Sequence, residues 1–305
     1  MKGGGAEDRG QNAGTDVGGV HHESVTVTDS PARVEADRAP LPRQRARAEA
    51  HGAFARVGER TEPQNLFETG GLRWRFPRSS TPCEAAIVNT GGGVAGGDSY
   101  RVSLSLREGA EVDAATPSAE RIYRSDGAPA AIAIRLSLAR GARLHWLPQE
   151  TILFEGAALE RRFDVETAGE ASFIIAETTV FGRLAMGETL VDASLRDSWR
   201  VRRDGRLVFA DETRLKRAAS ALERRAVGAG ARAVTTILAA APNIEARLPD
   251  LRAALEIESS GVEAGASAVD GLIVARLVSL SPSRLRAALI ASIVALGARK
   301  PRLWA

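Results

Sequence analysis

Alternation of apolar and polar residues constrains the fold of this chain more than any other feature of its sequence. Residues 100–107 (YRVSLSLR) and 131–138 (AIAIRLSL) both repeat with a period of two, which predicts strands with one buried face. Asp-Gly pairs follow at Asp126-Gly127, Asp204-Gly205 and Asp270-Gly271. Such pairs supply the positive φ values of tight hairpin turns. The sequence therefore predicts a mainly β fold, and the clearest hairpin surrounds Asp204-Gly205.

A loose internal repeat indicates how the strands are arranged. Turn-like segments at residues 108–110, 140–142 and 168–170 each precede a short apolar run. Their glycines, Gly109, Gly141 and Gly169, are 32 and 28 residues apart. This spacing is consistent with stacked strand units.

Helical periodicity is found mainly in the last third of the chain. The two apolar stripes are Ile244, Leu248, Leu251 and Leu255, and Leu285, Leu289, Ile293 and Leu296. Pro249 is acceptable only near the start of the first helix. Ser281-Pro282 predicts an N-cap followed by proline at the first position of the second helix. A third, shorter helix is predicted around residues 215–222.

Residues 1–48 differ in composition from the rest of the chain. They are rich in Gly, Asp, Arg, Ala and Pro and have no sustained periodicity. Such a segment cannot bury enough apolar surface to offset its ordering entropy. We therefore predict a disordered N-terminal arm over residues 1–48 and a single domain over residues 49–305.

Bulk properties exclude several classes of protein. Hydrophobic residues make up 44% of the chain and charged residues 26%, with a formal net charge of only +3. The single cysteine, Cys83, excludes an internal disulfide framework. The N-terminus lacks the apolar core of a signal peptide, and the longest uncharged apolar run, residues 287–298, is shorter than the ~20 residues that span a bilayer. A cytoplasmic location follows by elimination.

A glycine-rich run suggests nucleotide binding as one alternative function. Residues 91–96 (GGGVAG) match the G-x-G-x-x-G pattern and follow an apolar run. A dinucleotide site also requires a helix after the glycines, because the helix N-terminus holds the phosphate. A strand pattern follows Asp98 instead. The preferred interpretation is a tight bend between closely packed backbones.

Other chemistries find less support in the sequence. Of the four histidines, His21 and His22 lie in the arm, His51 lies at its edge, and His145 alternates with apolar residues in a strand. No pair has metal-ligand spacing inside the domain, and Cys83 has no nearby histidine base. A basic nucleic-acid module, another alternative, would use Arg200, Arg202, Arg203 and Arg206. A third alternative is a generic interaction protein.

Four sequence blocks resemble the signatures of the UreD/UreH family of urease accessory proteins. They are residues 89–98 (NTGGGVAGGD), 119–125 (AERIYRS), 146–156 (WLPQETILFEG) and 181–188 (FGRLAMGE), and the ending at residues 300–304 (KPRLW) is also similar. Their order and spacing agree with the family from about Gly52 to Ala305. The sequence departs from the family pattern in two places, at residues 116–118 (TPS) and in its long N-terminal arm.

The resemblance implies a fold and a role. The implied fold is a two-layer, β-helix-like stack of strands with two or three packed helices. The implied role is non-catalytic: binding apo-urease together with UreF and the GTPase UreG, and helping nickel to reach the urease active site through an internal passage. No cofactor is expected to bind tightly, and nickel is in transit. Weak oxygen ligands suit such a conduit better than a histidine cage, because the ion must be released.

The resemblance also selects candidate residues. The glycines of the first block, read as structural, are Gly91, Gly92, Gly93, Gly96 and Gly97. The candidates for the nickel path or for an interface are Asp98, Glu120, Tyr123, Glu150, Glu155, Glu177, Arg183 and Glu188. No basic partner is evident for most of these carboxylates, although Arg183 is a candidate partner for Glu188. We therefore expect the carboxylates to face water, an ion path or a partner protein.

Overall fold

The computed structural model describes residues 44–304 except 78–81, 184–185, 189 and 259. The chain divides into two units, Met1–Arg43 and Gln44–Ala305. His21, His22 and most of the predicted arm lie outside the described residues. The first strand begins at Arg47, two residues before the predicted start of the domain.

Strands dominate the described chain. In chain order they are β1 (Arg47–Val57), β2 (Arg60–Thr69), β3 (Leu72–Arg75), β4 (Cys83–Asn89), β5 (Ser99–Leu106), β6 (Glu111–Ala115), β7 (Glu120–Ile122), β8 (Ala130–Leu138), β9 (Arg143–Trp146), β10 (Thr151–Leu153), β11 (Ala158–Thr167), β12 (Ser172–Phe181), β13 (Ser194–Arg203), β14 (Arg206–Leu215), β15 (Ala233–Ala240), β16 (Val262–Val269) and β17 (Leu272–Ser279). The helices are α1 (Ala218–Glu223), α2 (Leu248–Ile257) and α3 (Pro282–Ala295).

Two facing sheets form the body of the molecule. The first sheet has the strand order β14-β13-β11-β8-β5-β1-β2, and the second has the order β16-β17-β15-β12-β9-β6-β4-β3. Successive strands of the middle region alternate between the sheets, so β5, β8, β11 and β13 pair in parallel, as do β4, β6, β9 and β12. The result is a β-solenoid of roughly four turns. The predicted β-helix-like stack is confirmed.

The predicted repeat corresponds to a ladder of stacked turns. Ala110, Ala142 and Ala171 occupy the same position in three successive coils, and all three are buried. The amide of Arg143 donates to the carbonyl of Ala110, and the amide of Ser172 donates to that of Ala142, both at 2.9 Å. Each turn leads directly into β6, β9 or β12. A buried alanine is small enough for the backbones of adjacent coils to approach one another.

Two of the three predicted Asp-Gly turns form hairpins. Asp204 and Gly205 join antiparallel strands β13 and β14 with φ values of 51° and 79°. Asp270-Gly271 joins β16 and β17 in the same way. The prediction for Asp126-Gly127 is wrong, because β7 pairs with β10 whereas β8 pairs with β5 and β11. In a solenoid the partner of a strand comes from the neighbouring coil.

The helices follow their sequence signals closely. Ser281 is the N-cap of α3, Pro282 is its first residue, and the Ser281 hydroxyl accepts from the amide of Arg284 at 3.4 Å. A 3₁₀ turn at Ile244–Arg247 precedes α2. Helix α1 starts at Ala218, later than predicted, because Arg217 adopts a left-handed conformation (φ 52°).

Two apolar cores hold the layers together. The larger core fills the space between the sheets and includes Phe54, Phe163 and Trp199. The smaller core lies between the second sheet and helices α2 and α3, and it includes Trp304. Both helical stripes predicted from the sequence contribute to this smaller core. None of the helices in the described residues has the length and apolar character needed to cross a bilayer.

Candidate functional site

The four signature blocks lie beside one another on one side of the solenoid. Val94 bridges to Ile122, β7 pairs in parallel with β10, and β10 pairs in parallel with β12. These contacts connect segments that are about 30 residues apart in sequence into a third wall between the two sheets. We call the described residues of these blocks, 89–98, 119–125, 146–156, 181–183 and 186–188, the motif wall.

The glycine loop of the motif wall has little room for side chains. A Cβ on Gly93 (φ 147°) would lie 2.4 Å from the Tyr123 ring and 2.8 Å from the Arg121 carbonyl oxygen. A Cβ on Gly96 would lie 2.4 Å from the Ser125 hydroxyl. Gly92 (φ 77°) and Gly97 (φ 84°) also have positive φ values. Strand β5 follows the loop at Ser99, as predicted, in place of the helix that a dinucleotide site needs.

Asp98 closes the loop and is not free to bind a ligand. Its Oδ1 accepts from the Ala46 amide and its Oδ2 from the Ala95 amide, each at 2.8 Å. The side chain is buried. It therefore ties the start of β1 to the glycine loop, which corrects the expectation that it faces water, an ion path or a partner.

Glu120 and Tyr123 lie on the next coil of the wall. The Asn89 amide nitrogen donates to both Glu120 carboxylate oxygens, at 2.9 and 3.1 Å. Burial raises the pKa of Glu120 above its ordinary value, and the bond from Asn89 opposes this shift. The Tyr123 hydroxyl donates to the Gly92 carbonyl at 2.8 Å, and its ring meets Phe154 edge-on.

Glu150 and Glu155 have fixed partners that the sequence did not reveal. Arg286 of α3 donates to Glu150 at 2.6 Å. The Glu155 carboxylate accepts from the Val191 and Asp192 amides, at 2.6 and 3.1 Å. Both groups therefore fasten loops of this chain, and neither is an unpartnered carboxylate.

Arg183 and Glu188 form the pair suggested by their proximity in sequence. Arg183 donates from Nε and Nη2 to Glu188, at 3.2 and 3.0 Å. These bonds lower the pKa of Glu188 below its ordinary value. The Arg183 guanidinium also lies 4.5 Å from the centre of the Phe154 ring.

Glu177 belongs to a buried charge cluster, and the expectation that it lacks a basic partner is wrong. Arg161 donates to Glu177 at 2.5 Å and to both oxygens of Asp197, at 3.1 and 2.7 Å. Trp146 donates its indole N–H to Glu177 at 2.8 Å. All three charged side chains are less than a tenth exposed. Two carboxylates thus share one guanidinium inside the molecule.

Arg161 and Asp197 were missed at the sequence level, although their positions carry a signal. The inward residues of β11 are Leu159, Arg161, Phe163, Val165 and Thr167, and those of β13 are Leu195, Asp197, Trp199 and Val201. One charged residue interrupts each apolar face, and the two are register partners. A charge on the buried face of a strand requires a partner, so the alternation pattern would have identified both.

A cavity of about 170 Å³ connects part of the motif wall with this cluster. The backbone of Gly92 and Gly93 contributes to its wall, and its polar and charged lining residues are Asn89, Tyr100, Thr116, Ser118, Glu120, Arg121, Gln149, Thr151, Arg161 and Glu177. Of the predicted acidic candidates, the cavity brings together Glu120 and Glu177. Asp98, Glu150, Glu155 and Glu188 do not line it.

Buried charge distinguishes this cavity from the surrounding core, because its lining contains two carboxylates, Glu120 and Glu177, and two arginines, Arg121 and Arg161. Burial raises the pKa of Glu177, with attraction to Arg161 opposing the shift. Glu177 shares Arg161 with Asp197, and a buried carboxylate in this situation favours binding a proton or a second cation. The described residues contain no group of three or more His, Cys, Asp or Glu side chains placed to hold a metal ion. The cavity therefore provides scattered oxygen ligands.

The cysteine and the basic strand provide less support for a functional site. Burial raises the pKa of the Cys83 thiol to about 11, which disfavours its reactive thiolate. In the basic strand, Arg202 lies 3.4 Å from Glu166, and Arg203 donates to the carbonyls of Asp270 and Gly271. These contacts engage two of the four arginines of the nucleic-acid alternative within the chain.

Comparison with known proteins agrees with the four signature blocks. The family model described as UreD urease accessory protein matches residues 46–305. Urease accessory protein UreD of Beijerinckia indica is 46% identical over 261 residues, covering 85% of this chain and 97% of that protein. UreD 3 of Methylorubrum extorquens is 45% identical over 275 residues, with coverages of 88% and 92%. UreD of Xanthobacter autotrophicus is 44% identical over 265 residues, with coverages of 86% and 91%.

Proposed function

Because this chain belongs to the UreD family of urease accessory proteins, we propose that it is a non-catalytic, cytoplasmic factor that binds apo-urease with UreF and UreG. In this proposal the protein helps nickel to reach the urease active site and retains no nickel itself. The family supports a role in urease maturation.

The observation that carries the nickel proposal is the pair of carboxylates in the cavity beside the motif wall. Glu120 and Glu177 supply oxygen atoms to a polar space inside an otherwise apolar core. Carboxylate and carbonyl oxygens bind a borderline ion such as Ni²⁺ more weakly than imidazole or thiolate ligands. An ion held by these oxygen atoms would therefore also be released. We propose that this cavity forms part of the internal passage.

The exposed side of the motif wall provides a surface for a partner protein. The side chains of Asp98, Glu150, Glu155 and Glu188 fix its loops from within. Arg183 remains about half exposed, and Met186 next to it is 76% exposed. In this proposal the inner groups position the wall, and its outer edge contacts the partner.

The test is to remove charge from the cavity without changing its volume. Glu120→Gln and Glu177→Gln would be co-expressed with urease, UreF and UreG, and Glu166→Gln on the outer face would serve as the control. Nickel in purified urease would be measured by mass spectrometry. Both cavity variants should still co-purify with the partners, and the nickel content should fall severalfold. Normal nickel content in both variants would exclude the cavity from the route.

A further inference from the structure

A second, larger cavity lies on the outer face of the second sheet. This C-terminal groove has a volume of about 690 Å³ and lies between the strands and the segment that follows α3. Helices α2 and α3 pack on β15, β16 and β17, and β4, β6 and β9 contribute to the groove floor. The strand register aligns Glu84, Asp113 and His145 across that floor. The volume is within the range of ligand-binding sites.

Basic groups of the same chain lie close to the acidic floor of the groove. Asp113 Oδ1 lies 2.9 Å from His145 Nδ1 and 3.8 Å from Arg143 Nη1. Arg143 in turn lies 2.6 Å from Glu111. Among the described residues, Asp113 Oδ1 nevertheless accepts no hydrogen bond, so the charges of the floor are only partly paired.

The opposite wall carries unpaired positive charge. Arg299, Lys300 and Arg302 all line the groove and are exposed. Within the described part of the chain, these three side chains have no hydrogen bond or ion pair. Among the lining residues, four Arg and Lys side chains face two carboxylates. The groove thus has spare positive charge.

The cations are held in place because the chain is anchored on both sides of them. Before them, α3 packs on the second sheet. After them, the Trp304 indole donates to the Leu147 carbonyl at 3.1 Å, and Gln149 donates to the Leu303 carbonyl at the same distance. An anchored row of cations loses less entropy on binding than a free tail would.

We infer that the C-terminal groove docks an acidic, extended segment of a partner protein. A volume of about 690 Å³ is large for a single inorganic anion and suits several residues of a peptide. Charge complementarity to the free cations selects carboxylate side chains. The inference rests on the proposed function, because the partners to be tested are apo-urease, UreF and UreG.

Charge reversal of the wall tests this inference. The full-length variant Arg299→Glu/Lys300→Glu/Arg302→Glu would be titrated against purified apo-urease, UreF and UreG separately. The control is Lys216→Glu/Arg224→Glu/Arg225→Glu, which changes the charge equally at exposed positions elsewhere. We expect binding of one partner to weaken at least tenfold in the wall variant and to change less than threefold in the control. Wild-type binding should also weaken with added salt.

The outcomes separate the two proposals. If the wild-type protein binds none of the partners, the proposed function fails. If it binds and the wall variant binds equally well, or if the control loses as much affinity, the groove inference fails. Ser172→Trp, which fills the groove without a change of charge, should reproduce the loss even if the wall variant folds poorly. A wild-type homodimer that the wall variant disperses would instead identify a self-association surface and overturn the inference.

Discussion

Arg161 is a cation on which two buried carboxylates depend. It contacts Glu177 of one sheet and Asp197 of its own sheet, and its side chain is only 3% exposed. Removal of one member of such a cluster leaves uncompensated charge in a low-dielectric interior. Its sequence neighbour Arg162 pairs with Asp164 at the surface, where its side chain is 58% exposed. Adjacent arginines on one strand therefore differ greatly in their contribution to stability.

We predict that Arg161→Met lowers the free energy of unfolding by about 3–5 kcal/mol. Arg162→Met should cost at most about 1 kcal/mol, because exposed ion pairs contribute little. Urea unfolding of both variants, with comparison of their midpoints, gives the difference. Similar midpoints for the two would mean that water reaches the Arg161 cluster.

The raised pKa of Glu177 predicts a pH-dependent stability. Because the folded-state pKa lies above the unfolded one, the stability that this group contributes is present at low pH and is lost as pH rises through the folded pKa. Glu177→Gln removes this dependence. We therefore expect the stability of the variant relative to wild type to be greatest at pH 8 and to decline towards pH 5. Urea unfolding across this range is the measurement, and a constant difference would contradict the assignment.

At the scale of elements, two neighbouring glycines in the loop that joins β4 to β5 are required for different reasons, one for its backbone conformation alone and one also for lack of space. Gly92 and Gly93 both have positive φ values, but only Gly93 lacks space for a Cβ. We predict that Gly92→Ala costs about 1 kcal/mol, from backbone strain alone. Gly93→Ala should cost substantially more, because its Cβ would collide with Tyr123 and with the backbone of Arg121.

Thermal unfolding and the yield of soluble protein would show the difference between the two glycine variants. A soluble Gly93→Ala protein as stable as Gly92→Ala would mean that the loop moves away from Tyr123 at low cost. Loss of nucleotide affinity without loss of stability would instead restore the enzyme alternative.

The elements that could be predicted from sequence are those with a recognisable sequence pattern of their own. Period two located β5 and β8, Ser281-Pro282 located the start of α3, and the turn repeat indicated stacking. The first two signals lie within a few residues of their effects, and the third recurs about every 30 residues. The partners of Glu150 and Glu177 were not predictable in this way, because Arg286 is 136 residues from the first and Arg161 reaches the second across the two layers. The identity of a side chain's partner in another coil or layer is not encoded in its local sequence.

At the scale of the whole molecule, the C-terminus fastens the helical layer to the motif wall. Trp304 is 2% exposed, and the Arg286 guanidinium lies 5.0 Å from the centre of its ring. The same guanidinium donates to Gln149 and Glu150 of the wall. One residue next to the end of the chain therefore links α3, the C-terminal groove and the third signature block.

We predict that Trp304→Ala lowers the free energy of unfolding by about 3–5 kcal/mol, the usual cost of truncating a buried aromatic side chain. Leu303→Ala, in which the carbonyl bonded to Gln149 is retained, should cost less. Hydrogen exchange of the two variants would locate the effect, and faster exchange is expected around residues 147–150 for Trp304→Ala. Unchanged exchange there would show that the wall does not depend on the C-terminus.

The position of Trp304 also sets an order of events during synthesis. Parts of a chain that emerge first from the ribosome begin to fold first, and the solenoid coils pair mainly with their neighbours in sequence. The indole that bonds to Leu147 is made 157 residues later. The groove is therefore fastened only after residue 304 has left the ribosome, so a nascent chain that has not reached this residue cannot offer the completed groove.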